Sequence, residues 1–211
     1  MLIDKTARQL LPAAYEADLG FILKPTKDLI FTAATWYLHL DQEFVYVGDG
    51  AIVEPSGRSR RQGLDLGLRY QPASWIFIYS DLNLANPVSL NDAEGENLIP
   101  LAPRLTITGG IKLIPTKSFN AGIRYRHINA RPANEDNSVI ATGYTVVDFN
   151  ANYIIKNITL GIDINNLLNT EWNETQFATE SRLKNEIEAV EEIHFTPGTP
   201  FFIKGKISYS F

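Results

Sequence analysis

The sequence contains no cysteine, one methionine and three histidines among its 211 residues. The lack of cysteine excludes disulfides, thiolate metal sites and cysteine nucleophiles. No run of about 18 apolar residues is present, which excludes a transmembrane helix. Residues Met1–Lys5 lack the basic start and the apolar core of a signal peptide, so an exported protein is not expected from the N-terminus alone.

Motifs for catalysis and for nucleic-acid binding are also lacking. The net charge is −5 and no basic stripe is present, so nucleic acid is not an expected partner. His39, His127 and His194 lie in separate segments, and no pair has the spacing of metal ligands. Neither a nucleophile elbow nor a phosphate-binding glycine loop occurs. The sequence therefore predicts no enzyme, no metal site and no cofactor.

The last eleven residues, 201–211, alternate almost without error between apolar and polar side chains, with Phe202 as the exception. Because side chains of a strand point to opposite faces in turn, such a segment has one apolar and one mostly polar face. In an outer-membrane β-barrel, lipid covers the apolar face and the lumen takes the polar one. The apolar row consists of Phe201, Ile203, Gly205, Ile207, Tyr209 and Phe211.

The same period of two recurs roughly nine times, which predicts an all-β, antiparallel sheet with one apolar face. For residues 75–84 the two faces are not distinguishable from the sequence. In the segment 30–40 the apolar row is predicted to be Ile30, Ala34, Trp36, Leu38 and Leu40. The other predicted apolar rows take every second residue of the segments Tyr15–Leu23, Leu64–Tyr70, Leu105–Leu113, Phe119–Tyr125, Val147–Ile155 and Ile158–Ile164.

The connections between these segments alternate in length, as in outer-membrane barrels with short periplasmic turns and long extracellular loops. The short ones are Lys24–Asp28, Gln71–Ser74, Pro115–Ser118 and Lys156–Asn157. The long ones are Gly48–Gly57, Asn86–Leu101, Arg131–Gly143 and Asn169–Pro200. Within the last loop, Thr179–Val190 has helical propensity, but its acidic character favours a solvated loop.

Aromatic residues cluster near the short connections and the C-terminus, where they would form a belt at one membrane interface. These residues are Phe21, Tyr70, Trp75, Phe119, Tyr153 and Phe211.

Three blocks near the C-terminus resemble TonB-dependent outer-membrane receptors in order and spacing. The first is Asp163–Trp172, which contains the Asn165, Asn166, Leu167 and Asn169 pattern of that family. The second is Phe177–Arg182, and the third is the step Pro197, Gly198 and Pro200 into the final strand. Upstream, Arg61–Leu66 resembles a further strand of the family, with Asp65 in place of the usual Glu.

This resemblance implies a bacterial outer-membrane barrel of about 22 strands with a plugged lumen. Residues 1–211 would be its C-terminal wall, and the plug domain, signal peptide and earlier strands would be absent from the sequence. The family implies energy-coupled import of a scarce nutrient, such as a ferric siderophore, cobalamin or an oligosaccharide, with TonB acting through the plug. Barrel assembly machinery would recognise Ile207, Tyr209 and Phe211 on the last strand.

Four basic residues, Arg104, Lys112, Arg124 and Arg126, are predicted to share the polar face of two neighbouring strands. Such a patch would contact acidic groups of a plug or an anionic ligand. The alternative is that these are solvated wall residues, since the interior of any large barrel is polar.

Two other architectures are compatible with a period of two. A self-contained barrel of about eight to ten strands, acting as a porin or adhesin, requires an even strand number and export of this chain by itself. A soluble β-sandwich binding module requires that the chain be monomeric without detergent, which its apolar face opposes.

Overall fold

The computed structural model describes residues 12–47 and 52–211 of the chain. In this part of the chain no helix is long and apolar enough to cross a membrane. The strands are β1 (Ala14–Thr26), β2 (Leu29–Val47), β3 (Ile52–Ala73), β4 (Ile76–Ser89), β5 (Leu105–Thr116), β6 (Phe119–Ile128), β7 (Arg131–Pro132), β8 (Ile140–Ala141), β9 (Tyr144–Ile155), β10 (Ile158–Asn165), β11 (Asn173–Ser181), β12 (Val190–Pro197) and β13 (Phe202–Tyr209).

Nine of these strands form one antiparallel sheet in the order β1-β2-β3-β4-β5-β6-β9-β10-β13. The pairs β7–β8 and β11–β12 are separate hairpins within two long connections. The all-β, antiparallel prediction of about nine strands is therefore confirmed, and a two-sheet sandwich is not formed. Within the described residues β1 and β13 each pair with one neighbour only, so the sheet is an open section of wall rather than a small closed barrel.

The strands are joined by two-residue turns at one end, as the sequence predicts: 27–28, 74–75, 117–118 and 156–157. At the other end the connections 90–104, 129–143 and 166–201 are long. The predicted loop Gly48–Gly57 is wrong in extent, because β2 and β3 continue as a paired ladder from Val47 and Ile52, with 48–51 outside the described residues. Gly57 lies inside β3 at a register shift and has a φ of 83°, a conformation that glycine adopts without strain.

The segment Thr179–Val190 is not one solvated loop. Residues up to Ser181 extend β11, and Val190 begins β12, so only 182–189 form the tip of a hairpin. Cross-strand pairs such as Phe177 with His194 and Ala178 with Ile193 hold the two strands together.

Strand register places most of the predicted apolar rows on one face. Residues directly opposite each other in an antiparallel pair point to the same side of the sheet. One such line of partners crosses six strands and is entirely apolar: Ile78, Ile111, Ile123, Phe149, Ile164 and Ile203. We call this side the apolar face and the opposite side the polar face.

The predicted apolar row of β2 is wrong. Ile30, Ala34 and Trp36 are register partners of Arg69, Asp65 and Gly63, and therefore lie on the polar face with Leu38 and Leu40. The row on the apolar face is Leu29, Phe31, Ala33, Thr35 and Tyr37. The sequence misleads here because β2 carries apolar side chains on both faces, and the polar Thr35 interrupts the row on the apolar face.

Register also resolves the two faces of β4. Ile76, Ile78, Ser80, Leu82 and Leu84 belong to the apolar face, and the polar Ser80 obscures this row in the sequence. The Ser80 hydroxyl is hydrogen-bonded to the hydroxyl of Tyr125 at 2.8 Å. The Tyr125 ring reaches Ser80 by passing over Gly109, where a Cβ atom would stand 2.7 Å from the ring. The Ser80 hydroxyl is thereby satisfied on a face that is otherwise apolar.

The aromatic residues predicted to form a belt are at the end of the sheet that carries the two-residue turns. Phe119 and Tyr153 are register partners beside the turns 117–118 and 156–157, and Tyr70 pairs with Leu29 beside the turn 27–28. Five of the six are at least one-third exposed, as expected of a ring that an external phase covers: Phe21, Tyr70, Trp75, Tyr153 and Phe211.

Candidate functional site

The polar face carries charges that are paired between neighbouring strands. In one pair, the Nη2 atom of Arg69 donates to both carboxylate oxygens of Asp81, at 2.7 and 2.9 Å, and the guanidinium also lies over the Tyr79 ring. The other ion pairs are Arg124 with Asp148 at 3.1 Å, Lys204 with Asp163 at 3.7 Å, and Arg61 with Glu43.

Two adjacent lines of cross-strand partners on this face enclose a groove of about 590 Å³. The lower line runs from β4 to β13 through Phe77, Lys112, Gly122, Asn150, Asp163 and Lys204. The upper line contains Tyr79, Gly110, Arg124, Asp148, Asn165 and Phe202. We call this cavity the wall groove.

Two cations of the wall groove stand directly opposite glycines. Lys112 is the partner of Gly122, and Arg124 is the partner of Gly110. Neighbouring polar side chains lie over both glycines, the Tyr79 hydroxyl over Gly110 and the Asn150 amide over Gly122. The Arg124 side chain remains 71% exposed although it bonds Asp148, and Lys112 makes no hydrogen bond or ion pair within the described residues. The groove therefore presents two exposed cations, of which Lys112 is unpaired within the described residues.

The four residues of the predicted basic patch are only partly brought together. Lys112 and Arg124 both line the wall groove, whereas Arg104 lines another cavity, together with Trp36 and Gly63. Arg126 faces the same side as Arg124 but lies over the Trp172 ring, 4.6 Å from its centroid.

Asn166, from the predicted family motif, lies at the end of β10 with 1% of its surface exposed. Its amide donates to the carbonyls of Thr170 at 2.8 Å and Thr199 at 3.1 Å, and accepts from the Thr170 N–H at 2.9 Å. Its own backbone N–H donates to Asp148 at 3.0 Å. A φ of 51° explains why asparagine, which tolerates the left-handed region, occupies this position.

We call the hydrogen bonds that Asn166 makes here the Asn166 bracket. The remaining motif residues extend it between β10 and β13. Asn169 also has a positive φ, and its side chain accepts from the Phe201 N–H at 3.0 Å. Leu167 N–H donates to the Val147 carbonyl at 2.6 Å.

The step into the last strand begins where Pro197 ends β12, three residues before Pro200. Here the Trp172 indole donates to the Thr199 carbonyl at 3.0 Å, and its ring lies against Gly198 where any Cβ would clash. Asparagine and glycine thus stand where the chain needs left-handed backbone or close packing.

Comparison with known proteins decides the family. The model of the family "TonB dependent receptor-like, beta-barrel" matches residues 14–167. This chain belongs to that family. The predicted family is therefore confirmed, and the polar and apolar faces correspond to the lumen and lipid sides of such a barrel. Comparison with curated proteins finds no match.

Solved structures share the fold of this barrel segment. The ferric yersiniabactin uptake receptor FyuA from Yersinia pestis has a TM-score of 0.67 at 17% identity, over 92% of this chain and 29% of that chain. The ferric-catecholate import receptor Fiu from E. coli K12 gives 0.67 at 18%, over 93% and 27%. The copper transporter OprC gives 0.66 at 17%, over 94% and 32%. The chain thus spans less than a third of the length of these proteins.

Two long connections of the barrel segment are tied to each other. Gln176 on β11 is 2% exposed, and its amide exchanges hydrogen bonds of 2.9 Å with the backbone of Thr142. Asn134 donates to Glu191 on β12 at 3.0 Å. These two contacts join the connections 129–143 and 166–201 into one external unit.

Two groups in the connection 129–143 have shifted pKa values. The Ser138 N–H and hydroxyl donate to Asp136 and lower the pKa of this carboxyl. Partial burial lowers the pKa of the Arg131 guanidinium.

The predicted assembly residues lie on the lipid side of the last strand. Ile207 and Tyr209 pair with Leu160 and Ile158, and the Tyr209 and Phe211 rings meet edge-on at 5.6 Å. The Phe211 side chain is fully exposed. Their recognition by assembly machinery stays a prediction.

Three residues of this site were not among the predicted site residues. Asp148 joins Arg124 to the Asn166 bracket, but only strand register shows that it stands opposite Arg124. Tyr79 and Phe77 close one end of the wall groove, and their face was not assignable from the sequence. Among the described residues, no group of three or more metal-ligating side chains comes together.

Proposed function

We propose that residues 1–211 form the C-terminal barrel wall of a TonB-dependent receptor in the bacterial outer membrane, and that the whole receptor imports a scarce nutrient. The supporting observation is the two-faced sheet, apolar outward and charged inward, over which the family model matches residues 14–167. A wall of this kind supplies a barrier, a lined lumen and external loops rather than covalent chemistry.

An iron or copper cargo is favoured over cobalamin or an oligosaccharide. Structures that share this fold include receptors for ferric yersiniabactin and ferric catecholates and a copper transporter. The external unit formed by the connections 129–143 and 166–201 would capture the cargo, and TonB would act through a plug domain held in the lumen. Lipid would cover the apolar face, and the barrel assembly machinery would read the last strand.

The test is energy-dependent uptake by the intact receptor. Cells that carry or lack the receptor gene are supplied with ferric siderophores, ferric citrate, copper, cobalamin or an oligosaccharide, each with and without a working TonB system. We expect receptor- and TonB-dependent accumulation of at least one of the iron or copper cargoes. The proposal would be refuted if none of the cargoes accumulated in a TonB-dependent way.

A further inference from the structure

The apolar face of the sheet ends in a group of polar residues where β2 and β3 approach the external connections. These residues are Tyr37 and His39 on β2 and Arg58, Arg60 and Gln62 on β3, and we call them the headgroup patch. We propose that this patch binds the phosphate groups of a lipid in the outer leaflet of the membrane. The inference rests on the proposed location in the outer membrane, and its test is separate from that of nutrient uptake.

Strand register places the headgroup patch on the side of the wall that faces lipid. Tyr70 extends the apolar line that crosses the sheet onto β3, and Gln62 and Arg60 follow at an even spacing, which is the same face of a strand. Tyr37 and His39 are their register partners on β2. Both strands have a paired neighbour on each side, so further strands of the barrel beside β1 would not border the patch. A plug in the lumen would lie on the opposite side of the wall.

The patch lies at the height where the apolar band of a barrel ends. Tyr70 belongs to the belt near the two-residue turns, and Arg60 is ten positions away from it on β3. This is ~33 Å along the strand and, at a tilt of about 40°, ~25 Å in height, which is the height of the apolar band. The rings of Tyr15 and Tyr37 beside Arg60 and His39 are 60% and 41% exposed, as expected at a membrane interface. Arg60 is therefore level with lipid headgroups rather than with acyl chains.

The arginines of the patch have donors that their neighbours do not use. Within the described residues the half-buried Arg60 side chain makes no hydrogen bond or ion pair. The exposed Arg58 side chain donates through its Nε to Asn91 at 3.1 Å, which leaves its two terminal nitrogens for another acceptor. The acid beside them, Asp41, contacts the His39 ring at 3.3 Å. The two arginines thus give the patch an excess of positive charge.

A phosphate group fits this arrangement. Arg58 and Arg60 share one face of β3 two residues apart, which is ~7 Å along the strand. Guanidinium groups donate to phosphate through paired N–H groups, and the exposed Gln62 amide adds a neutral donor. By contrast, His127 and Thr145 at the same end of this face, on β6 and β9, are bonded to each other at 2.8 Å. A lipid is favoured over a soluble anion because the apolar face next to the patch would hold its acyl chains.

The experiment measures binding of lipid A, a glycolipid with two phosphates, to the intact receptor. The receptor is refolded from urea into detergent, which removes lipid carried over from the cell, and native mass spectrometry measures bound lipid at increasing concentrations. Wild type is compared with Arg60→Gln and with Arg58→Gln combined with Arg60→Gln. Dephosphorylated lipid A and inorganic phosphate are tested in the same way. Lys27→Gln removes one charge in the turn 27–28, at the other end of β2, and is the matched control.

We expect the affinity for lipid A to fall about fivefold in Arg60→Gln and about 25-fold in the double variant. A basic residue near a charged lipid surface contributes ~1 kcal/mol, and about 1.4 kcal/mol corresponds to tenfold. Lys27→Gln should bind lipid A as wild type does. Dephosphorylated lipid A should bind wild type more weakly, and inorganic phosphate, which has no acyl chains, should bind more weakly still. Heat-modifiable mobility of each variant checks that the barrel is folded.

Three results would overturn the assignment: an unchanged affinity for lipid A in the double variant, an equal loss in Lys27→Gln, or equal affinity for lipid A and its dephosphorylated form. Inorganic phosphate that binds as tightly as lipid A, and loses this affinity in Arg60→Gln, would assign the patch to a soluble anion and overturn the choice of a lipid. Uptake measured in cells separates the two proposals. TonB-dependent uptake without Arg60-dependent lipid binding would remove this site and leave the function standing, and the reverse result would do the opposite.

Discussion

Placing a charge on the lipid side of the wall should cost free energy in proportion to depth in the membrane. Ile111 lies on β5 in the apolar line that crosses the sheet, with Ile78 and Ile123 on either side. It is 38% exposed, both of its strand partners are isoleucines, and the nearest polar groups on that face, the hydroxyls of Ser80 and Tyr125, are bonded to each other. We expect Ile111→Arg to destabilise the folded receptor by about 2–4 kcal/mol, the cost of arginine near the bilayer midplane.

The same strand provides two matched controls. Ile107 is on the same face four residues away, which is ~13 Å along the strand and, at a tilt of about 40°, ~10 Å in height. It pairs with His127, and since the apolar band is only ~25 Å tall, Ile107→Arg should cost about 1 kcal/mol or less. Thr106 faces the lumen opposite Asn83, so Thr106→Arg should also cost less than about 1 kcal/mol.

The assay is urea unfolding of the intact receptor in phospholipid vesicles, followed by its heat-modifiable mobility. The intact receptor is required because the edges of β1 and β13 would otherwise be unpaired in lipid. The expected order of stability loss is Ile111→Arg, then Ile107→Arg, with Thr106→Arg smallest. Equal losses of stability at the three positions would refute the assignment of faces. A larger loss at Ile107 than at Ile111 would refute the depths in the membrane assigned to these two residues.

Three further substitutions test other parts of the wall. Asn166→Ala should loosen the last external connection, because the backbone N–H and carbonyl of Thr170 lose their bonds to the amide at about 0.5–1.5 kcal/mol each, whereas the Thr199 carbonyl keeps its bond from Trp172. Asn166→Gly should be milder since glycine tolerates the positive φ, and protease cleavage of that connection measures both. Tyr125→Phe should cost about 0.5–1.5 kcal/mol in vesicle unfolding through loss of its bond to Ser80, and Ser80→Ala added to it should cost little more. Phe211→Ala should reduce the amount of receptor inserted in cells while changing the unfolding of purified protein no more than Phe119→Ala does; parallel losses of insertion and stability in both would make Phe211 an ordinary belt residue.

The period of two was enough to predict the sheet, its turns and most of its rows. In segments such as 105–113 and 158–164, apolar residues occupy one face and polar residues the other, so pattern and register agree. The pattern failed where both faces are apolar, in β2, and where a polar residue stands outward, at Ser80 in β4. In both cases the side is decided by the neighbouring strand, which a single segment does not reveal.

The candidate site was harder to predict because it depends on partners distant in sequence. The wall groove joins Phe77 to Lys204, and no local spacing relates them. In the sequence, the residues of the Asn166 bracket were recognised only by their resemblance to a family motif, and this resemblance does not say which contacts they make. Its hydrogen bonds to Asp148 and Thr199 could not be derived from composition or periodicity.

The Asn166 bracket and the wall groove are connected through strand register. Asn166 bonds the Thr199 carbonyl and Asn169 bonds the Phe201 N–H, which fixes the point where the chain enters β13. From that point Asn165 stands opposite Phe202, and two residues further Asp163 meets Lys204. Because the side-chain period is two, a slip of one residue would turn Lys204 toward lipid and Ile203 into the lumen. The asparagines at the external rim therefore determine which charges the last strand presents inside the barrel.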